Sequence, residues 1–220
     1  MKDLLLITPP FTQLNTPYPA TAYLKGFLNT KNISSYQIDL GIEVILEIFS
    51  KKGVTQIFNV KPENLSENTQ RIFALKEEYI KTIDEVIAFL QNKKPTLARQ
   101  ICSMNFLPEA SRFNQLDDME YAFGNMGLQD KAKHLATLYL EDLSDYIVEN
   151  IDENFGFSRY AERLGRSANS FDELYEKLQS DKTFVDNFTL EILDKKLLET
   201  KPKLVCFSVP FPGNLYSAFR

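Results

Sequence analysis

Two short apolar runs, each followed at once by prolines and the start of a helix, constrain this chain more than any other feature. Residues 4–8 (Leu-Leu-Leu-Ile-Thr) run into Pro9 and Pro10. Residues 202–220 (Pro-Lys-Leu-Val-Cys-Phe-Ser-Val-Pro-Phe-Pro-Gly-Asn-Leu-Tyr-Ser-Ala-Phe-Arg) read as a buried strand, a Pro/Gly turn and the first turn of a helix. An apolar run without alternation is what a strand covered on both faces shows, and turn residues followed by a helix start open a βα unit. Parallel strands are joined by crossovers, so the second opening calls for a further strand beyond Arg220. The chain therefore reads as the amino-terminal piece of a larger α/β protein.

Between these ends the pattern changes twice. A helix is predicted from Pro19 or Ala20 to Asn29, with Pro19 suited to its first turn and Tyr23, Phe27, Leu24 and Leu28 forming an apolar face at i, i+4 spacing. A second strand falls near 35–40, with Gly41 just past it, and a helix over 42–51 is closed by Gly53. This βαβα run builds a parallel sheet. From about 60 to 200 only helical spacing is found: Ile72, Phe73, Tyr79, Ile80, Ile83, Val86, Ile87 and Leu90, then Leu128, Ala132, Leu135, Tyr139, Leu143 and Tyr146. Ser170-Phe-Asp-Glu173 reads as a capping box. The expected organisation is a sheet domain from 1–59 and 201–220, with about three parallel strands, and an all-helical insertion over 60–200.

A net charge of −5 argues against a broad nucleic-acid footprint. No Lys/Arg cluster marks a membrane-surface helix, and the four apolar residues before Thr8 are too few for a signal-peptide core or a span. Cys102 and Cys206 lie far apart and support no disulfide framework; Cys206, inside an apolar run, reads as an inert core thiol. A cytoplasmic protein, with no nucleic-acid or membrane partner, is expected.

In an open parallel sheet the ligand lies beyond the carboxyl ends of the strands. Three loops would meet there, carrying Thr8, Pro9 and Pro10, then Asp39 and Gly41, then Ser208, Gly213 and Asn214. Gly213 and Asn214 at a helix start could offer backbone N–H groups to a phosphate or carboxylate, and Gly41 could admit a close approach. Equally, these residues could do no more than make turns, since neither GxGxxG nor GxxxxGK[ST] is present.

Elsewhere, six acids between Ala136 and Ser158 (Glu141, Asp142, Asp145, Glu149, Asp152, Glu153) precede Arg159, Arg163 and Arg166. The acids read as a solvated helix face or a patch meeting the arginines. Arg159 and Arg163, on one face if helical, are a possible anion site or a structural pairing. His134, the single histidine, is placed for an i, i+4 pair with Asp130. No base stands beside a Ser or Cys nucleophile, so no catalytic residue and no protein metal site is assigned.

The run from 4 to 28 (Leu-Leu-Leu-Ile-Thr-Pro-Pro-Phe-Thr-Gln-Leu-Asn-Thr-Pro-Tyr-Pro-Ala-Thr-Ala-Tyr-Leu-Lys-Gly-Phe-Leu) resembles the first βα unit of the cobalamin-binding-type domain at the amino end of many radical S-adenosylmethionine (radical SAM) proteins. Residues 202–214 are similar to that domain's third strand and loop. Leu107-Pro-Glu-Ala-Ser-Arg-Phe113 and Phe157-Ser-Arg-Tyr-Ala-Glu-Arg-Leu164 look akin to a long insertion in one uncharacterised branch. The resemblance implies a partial Rossmann-like sheet, cobalamin as the ligand of its carboxyl end, and an unidentified small-molecule substrate. The chain departs from the pattern at two points. It lacks Asp-x-His-x-x-Gly, so a corrin would bind without a protein histidine on cobalt. It also lacks Cys-x-x-x-Cys-x-x-Cys, whose three thiolates hold the iron–sulfur cluster. Cluster and S-adenosylmethionine are then expected only in a following carboxyl-terminal radical SAM domain, the partner of this one. The other reading is a non-catalytic module whose helical surface binds a protein.

Overall fold

The computed structural model describes residues 2–11, 14, 18–60, 66–103, 106–118, 127–157 and 171–220. Among them are three strands, β1 (Leu4–Thr8), β2 (Ser35–Asp39) and β3 (Leu204–Phe207), and ten α-helices. The strands form one parallel sheet in the order β2-β1-β3, with Leu4 opposite both Ser35 and Leu204. The expected α/β architecture, a partial Rossmann-like sheet with a large helical insertion, is the one observed. Its contacts separate two compact units, 1–46 with 154–220, and 47–153.

In the sheet unit, β1 is central, and Leu5 to Thr8 are all buried, as its unbroken apolar run predicts. Leu5, Ile7, Ile38 and Leu40 form the core on one face, packed against Ile192, Leu193 and Leu197 of the long helix Phe184–Thr200. That helix begins at a reciprocal capping box. Asp186 N–H donates to Thr183 Oγ1 at 3.1 Å, and Thr183 N–H donates to Asp186 Oδ2 at 3.0 Å, serving donors the helix itself leaves unpaired. The helix Asp172–Gln179 instead starts behind Phe171 with no side-chain cap; Ser170 of the expected box lies outside the described residues.

Two expectations on burial are corrected. The first helix, α1 (Ala20–Thr30), turns Tyr23 and Phe27 outward, 77% and 60% exposed, because Thr21, Lys25 and Leu28 occupy its inner side. β3 is not covered on both faces either. It forms an edge of the three-stranded sheet, Leu204 and Phe207 are exposed, and Cys206 is half-buried rather than a core thiol.

The helix predicted over 42–51 is in fact two. The second helix, α2 (Leu40–Ile48), ends before Ser50, whose Oγ accepts from Gly53 N–H at 3.1 Å and so caps α3 (Lys51–Asn59). Gly53 closes nothing; it lies in the first turn of α3. A Cβ there would run into the carbonyl oxygens of Glu47 and Ile48, which are backbone and cannot swing aside. Gly53→Ala is therefore expected to cost about 1–3 kcal/mol, as overpacking does. A thermal melt showing no loss of stability would contradict that close approach.

The second unit holds α3, then α4 (Glu67–Ala74), α5 (Lys76–Leu90), the short α6 (Ala98–Ile101) and the 23-residue α7 (Leu128–Asn150). The spacing predicted for α7 holds after its first residue: Ala132, Leu135, Tyr139, Leu143 and Tyr146 are buried, while Leu128 is exposed. The single apolar run through Ile72 and Leu90 breaks at Leu75 into α4 and α5. Phe58, Phe73, Tyr79, Tyr139 and Tyr146 make an aromatic centre, with the Phe58 ring 5.0 Å from Tyr146 and the Tyr79 ring 4.9 Å from Tyr139. No described helix is long and apolar enough to cross a membrane.

The acid run is only in part a solvated face: Glu149 and Glu153 are exposed, whereas Asp142 and Asp152 are buried. Asp142 is fully buried and accepts from Ala110 N–H and Arg112 N–H, each at 3.2 Å, and from Tyr79 Oη at 3.3 Å. Asp145 takes a bidentate pair from Arg112 at 2.8 Å on each oxygen. Glu149 accepts from Ser66 N–H at 2.8 Å, Ser66 Oγ at 2.7 Å and the Thr69 hydroxyl, tying down the start of α4. The acids thus hold two chain segments against α7. The arginine that meets them is Arg112; Arg159, Arg163 and Arg166 lie outside the described residues.

Burial pushes the Asp142 carboxyl up to about 6, outweighing the amide and hydroxyl bonds that favour its charge. Because the folded value is raised, the folded state binds the proton more tightly than the unfolded one. This group's contribution to stability therefore grows as pH falls from about 6 to about 4. Asp3, paired with Lys203 and bonded to Ser34, is held down to about 2. Its contribution is present above about pH 4 and is lost as pH falls toward 2. Urea titrations from pH 7 to 4 are expected to show Asp142→Asn losing part of the wild-type gain on acidification; an unchanged profile would rule Asp142 out as its source.

Candidate functional site

With β1 central, the chain leaves it toward β2 and later returns on its other side as β3. This makes the carboxyl ends of β1 and β3 the point where the strand order reverses, the place an open parallel sheet offers to a ligand. The structure brings Thr8, Pro9, Pro10, Ser208, Gly213 and Asn214 together here. Thr8 ends β1 and is buried; Ser208 N–H donates to Ile7 O at 2.8 Å. The last helix, α10 (Pro212–Phe219), has Pro212 in its first turn and Gly213 and Asn214 behind it.

These groups are turned toward each other. Asn214 Nδ2 donates to Pro9 O at 2.6 Å, Phe11 N–H donates to Gly213 O at 3.3 Å, and Asn214 N–H donates to Phe211 O at 3.0 Å. Phe11 is buried edge-on against Phe155 at 6.3 Å, and Tyr18 meets Phe211 at 5.6 Å. Asn214 is buried too, and its Oδ1 has no hydrogen-bond partner. The two loops, some 200 residues apart in sequence, are stitched into one crest.

At the end of β2, Asp39 Oδ1 accepts from Ile42 N–H at 3.2 Å and caps α2, while burial raises its pKa against those amide bonds. Gly41 is the second residue of α2 rather than part of a loop. A Cβ there would stand 3.2 Å from Asp39 Oδ1 and 3.4 Å from the Phe11 ring, so the group that approaches Gly41 is the chain's own Phe11. His134 is half-buried on α7. No group of three metal-ligating side chains occurs among the described residues.

Between the ends of β1 and β3, the backbone N–H of Asn214 is taken up by Phe211 O and its side-chain Nδ2 by Pro9 O. A cleft of about 220 Å³ lies against Phe184–Thr200 and α10. Asp186 lines that cleft, and neither spacing nor motif singled it out, although Thr183-x-x-Asp186 carries the cap signal that would have.

The fold and crest define the class: an α/β protein with a parallel sheet in the order 2-1-3 and a helical unit set between its second and third strands. Compared with protein-family models, curated proteins and solved structures, the chain matches none.

Proposed function

We propose that this chain is the amino-terminal accessory domain of a radical SAM enzyme, cytoplasmic and not catalytic by itself. Its partner in this reading is the enzyme's own carboxyl-terminal domain. There, three cysteines of a Cys-x-x-x-Cys-x-x-Cys motif would hold the iron–sulfur cluster, S-adenosylmethionine would bind, and an unidentified small molecule would react. The observation that carries the reading is the meeting of the Pro9–Pro10 loop with the loop from Ser208 to Asn214 at the reversal point of a parallel 2-1-3 sheet. Those are the segments whose sequences resemble the cobalamin-type domain. In this reading cobalamin would lie at that carboxyl end of the sheet, without a protein histidine on cobalt.

The test is the coding sequence downstream of codon 220. An in-frame Cys-x-x-x-Cys-x-x-Cys is expected, and a natural stop codon there would remove the reading. Hydroxocobalamin added to the purified chain is expected to show a shifted corrin band; an unchanged spectrum at high micromolar corrin would overturn cobalamin binding by this chain. A second reading, a protein-interaction module, draws support from the outward Tyr23, Leu24 and Phe27 of α1. It gains if the stop codon is found.

A further inference from the structure

The cleft beside the crest has apolar walls, among them Leu40, Leu190, Leu193 and Phe207, and polar groups from Asp186 and Arg220. Asp186 is 2% exposed, and its hydrogen bonds are unevenly shared. Thr183 N–H at 3.0 Å, Tyr216 Oη at 2.7 Å and Arg220 Nε at 2.9 Å all donate to Oδ2. A carboxylate offers about four acceptor positions on two oxygens, and buried acceptors are normally used. Oδ1 receives none of these bonds, which leaves it as the acceptor available on the side chain that lines the cleft.

Charge and size narrow what could use it. Arg220 already balances the carboxylate and is itself fastened to Ser180 O at 2.7 Å, so a second cation would meet a guanidinium, whereas a neutral donor would not. An apolar cavity of about 150 Å³ takes benzene, while drug-sized ligands want about 300 Å³ or more. The cleft, at about 220 Å³, falls between them, at the size of one fused bicycle. We propose that it binds a small, neutral aromatic heterocycle that donates a ring N–H to Asp186 Oδ1. This site adjoins the crest, with which it shares Pro9, and the proposal does not rest on the radical SAM reading.

Indole and benzofuran share shape and size, but only indole carries the N–H. Ligand-observed NMR and calorimetry on the full chain are expected to show indole binding in the millimolar range, with benzofuran at least about tenfold weaker. Ser217→Phe fills the cleft from a position that makes none of the Asp186 bonds; it should abolish indole binding while leaving the far-ultraviolet circular dichroism spectrum unchanged. Equal binding of the two heterocycles would overturn the role of Asp186. Unchanged indole binding to Ser217→Phe, or none to the wild-type chain at several times about 1 mM, would overturn the site itself.

Discussion

Asp186→Ala is expected to lower the unfolding free energy by about 3–5 kcal/mol, the range found when one partner of a buried ion pair is removed. The carboxylate ends the buried hydroxyl of Tyr216, the largely buried guanidinium of Arg220 and the first turn of Phe184–Thr200 on a single oxygen. Alanine leaves the Arg220 guanidinium without its counter-charge, held only by the carbonyls of Leu178 and Ser180, takes one bond from the Tyr216 hydroxyl and removes half of the capping box. Urea unfolding followed by circular dichroism, fitted with one transition for each compact unit, measures the loss. Tyr216→Phe, which deletes one donor and strands nothing, should cost only about 1 kcal/mol. A loss below about 1 kcal/mol for Asp186→Ala would mean that Arg220 finds water in its place, and the ion pair would then count as a surface one.

Phe58→Ala should cost as much, about 3–5 kcal/mol. Its ring is buried at the centre of the helical unit, edge-on to Tyr146 at 5.0 Å and Phe73 at 6.3 Å and tilted against Tyr79 at 6.2 Å. These rings come from α3, α4, α5 and α7, so the cavity left by alanine touches four helices, and a rigid aromatic lining closes over it poorly. Since the chain has two compact units, a single two-state fit is the wrong instrument for either variant. Amide hydrogen exchange is the better check. Phe58→Ala should lose protection in α5 and α7, and Asp186→Ala in Phe184–Thr200. Retained protection in α5 and α7 of Phe58→Ala would contradict the packing.

The elements that could be read in advance are those written in local chemistry. The apolar run of β1, the helical period of α7 and the proline before α1 each act over a few residues, and each predicted the element that formed. Where two local signals competed, the reading failed. Gly53 looks like a helix stop, but Ser50 three residues earlier is a cap, and the crowding by Glu47 and Ile48 that makes glycine necessary is invisible in a linear pattern. The face of α1 was misread for a related reason. Tyr23 and Phe27 satisfy an apolar period, yet a period states only that a stripe exists, not which side of the helix meets the sheet.

The candidate site divides along the same line. That the loops after the three strands would converge follows from parallel order, and order follows from short strands alternating with helices. What those loops do on meeting depends on pairs such as Pro9 with Asn214 and Phe11 with Gly213, about 200 residues apart, whose bonds exist only because β3 returns beside β1. The same holds for Asp142 beneath Ala110 and Arg112, and for Asp186 between Tyr216 and Arg220. In the chain each is one acid among many. Burial and converging donors make them anchors, and both come from contacts between distant segments, which no local spacing encodes. Class and strand grammar were therefore legible from residue order, while the stitched crest, the buried acids and the cleft arose only when the segments packed.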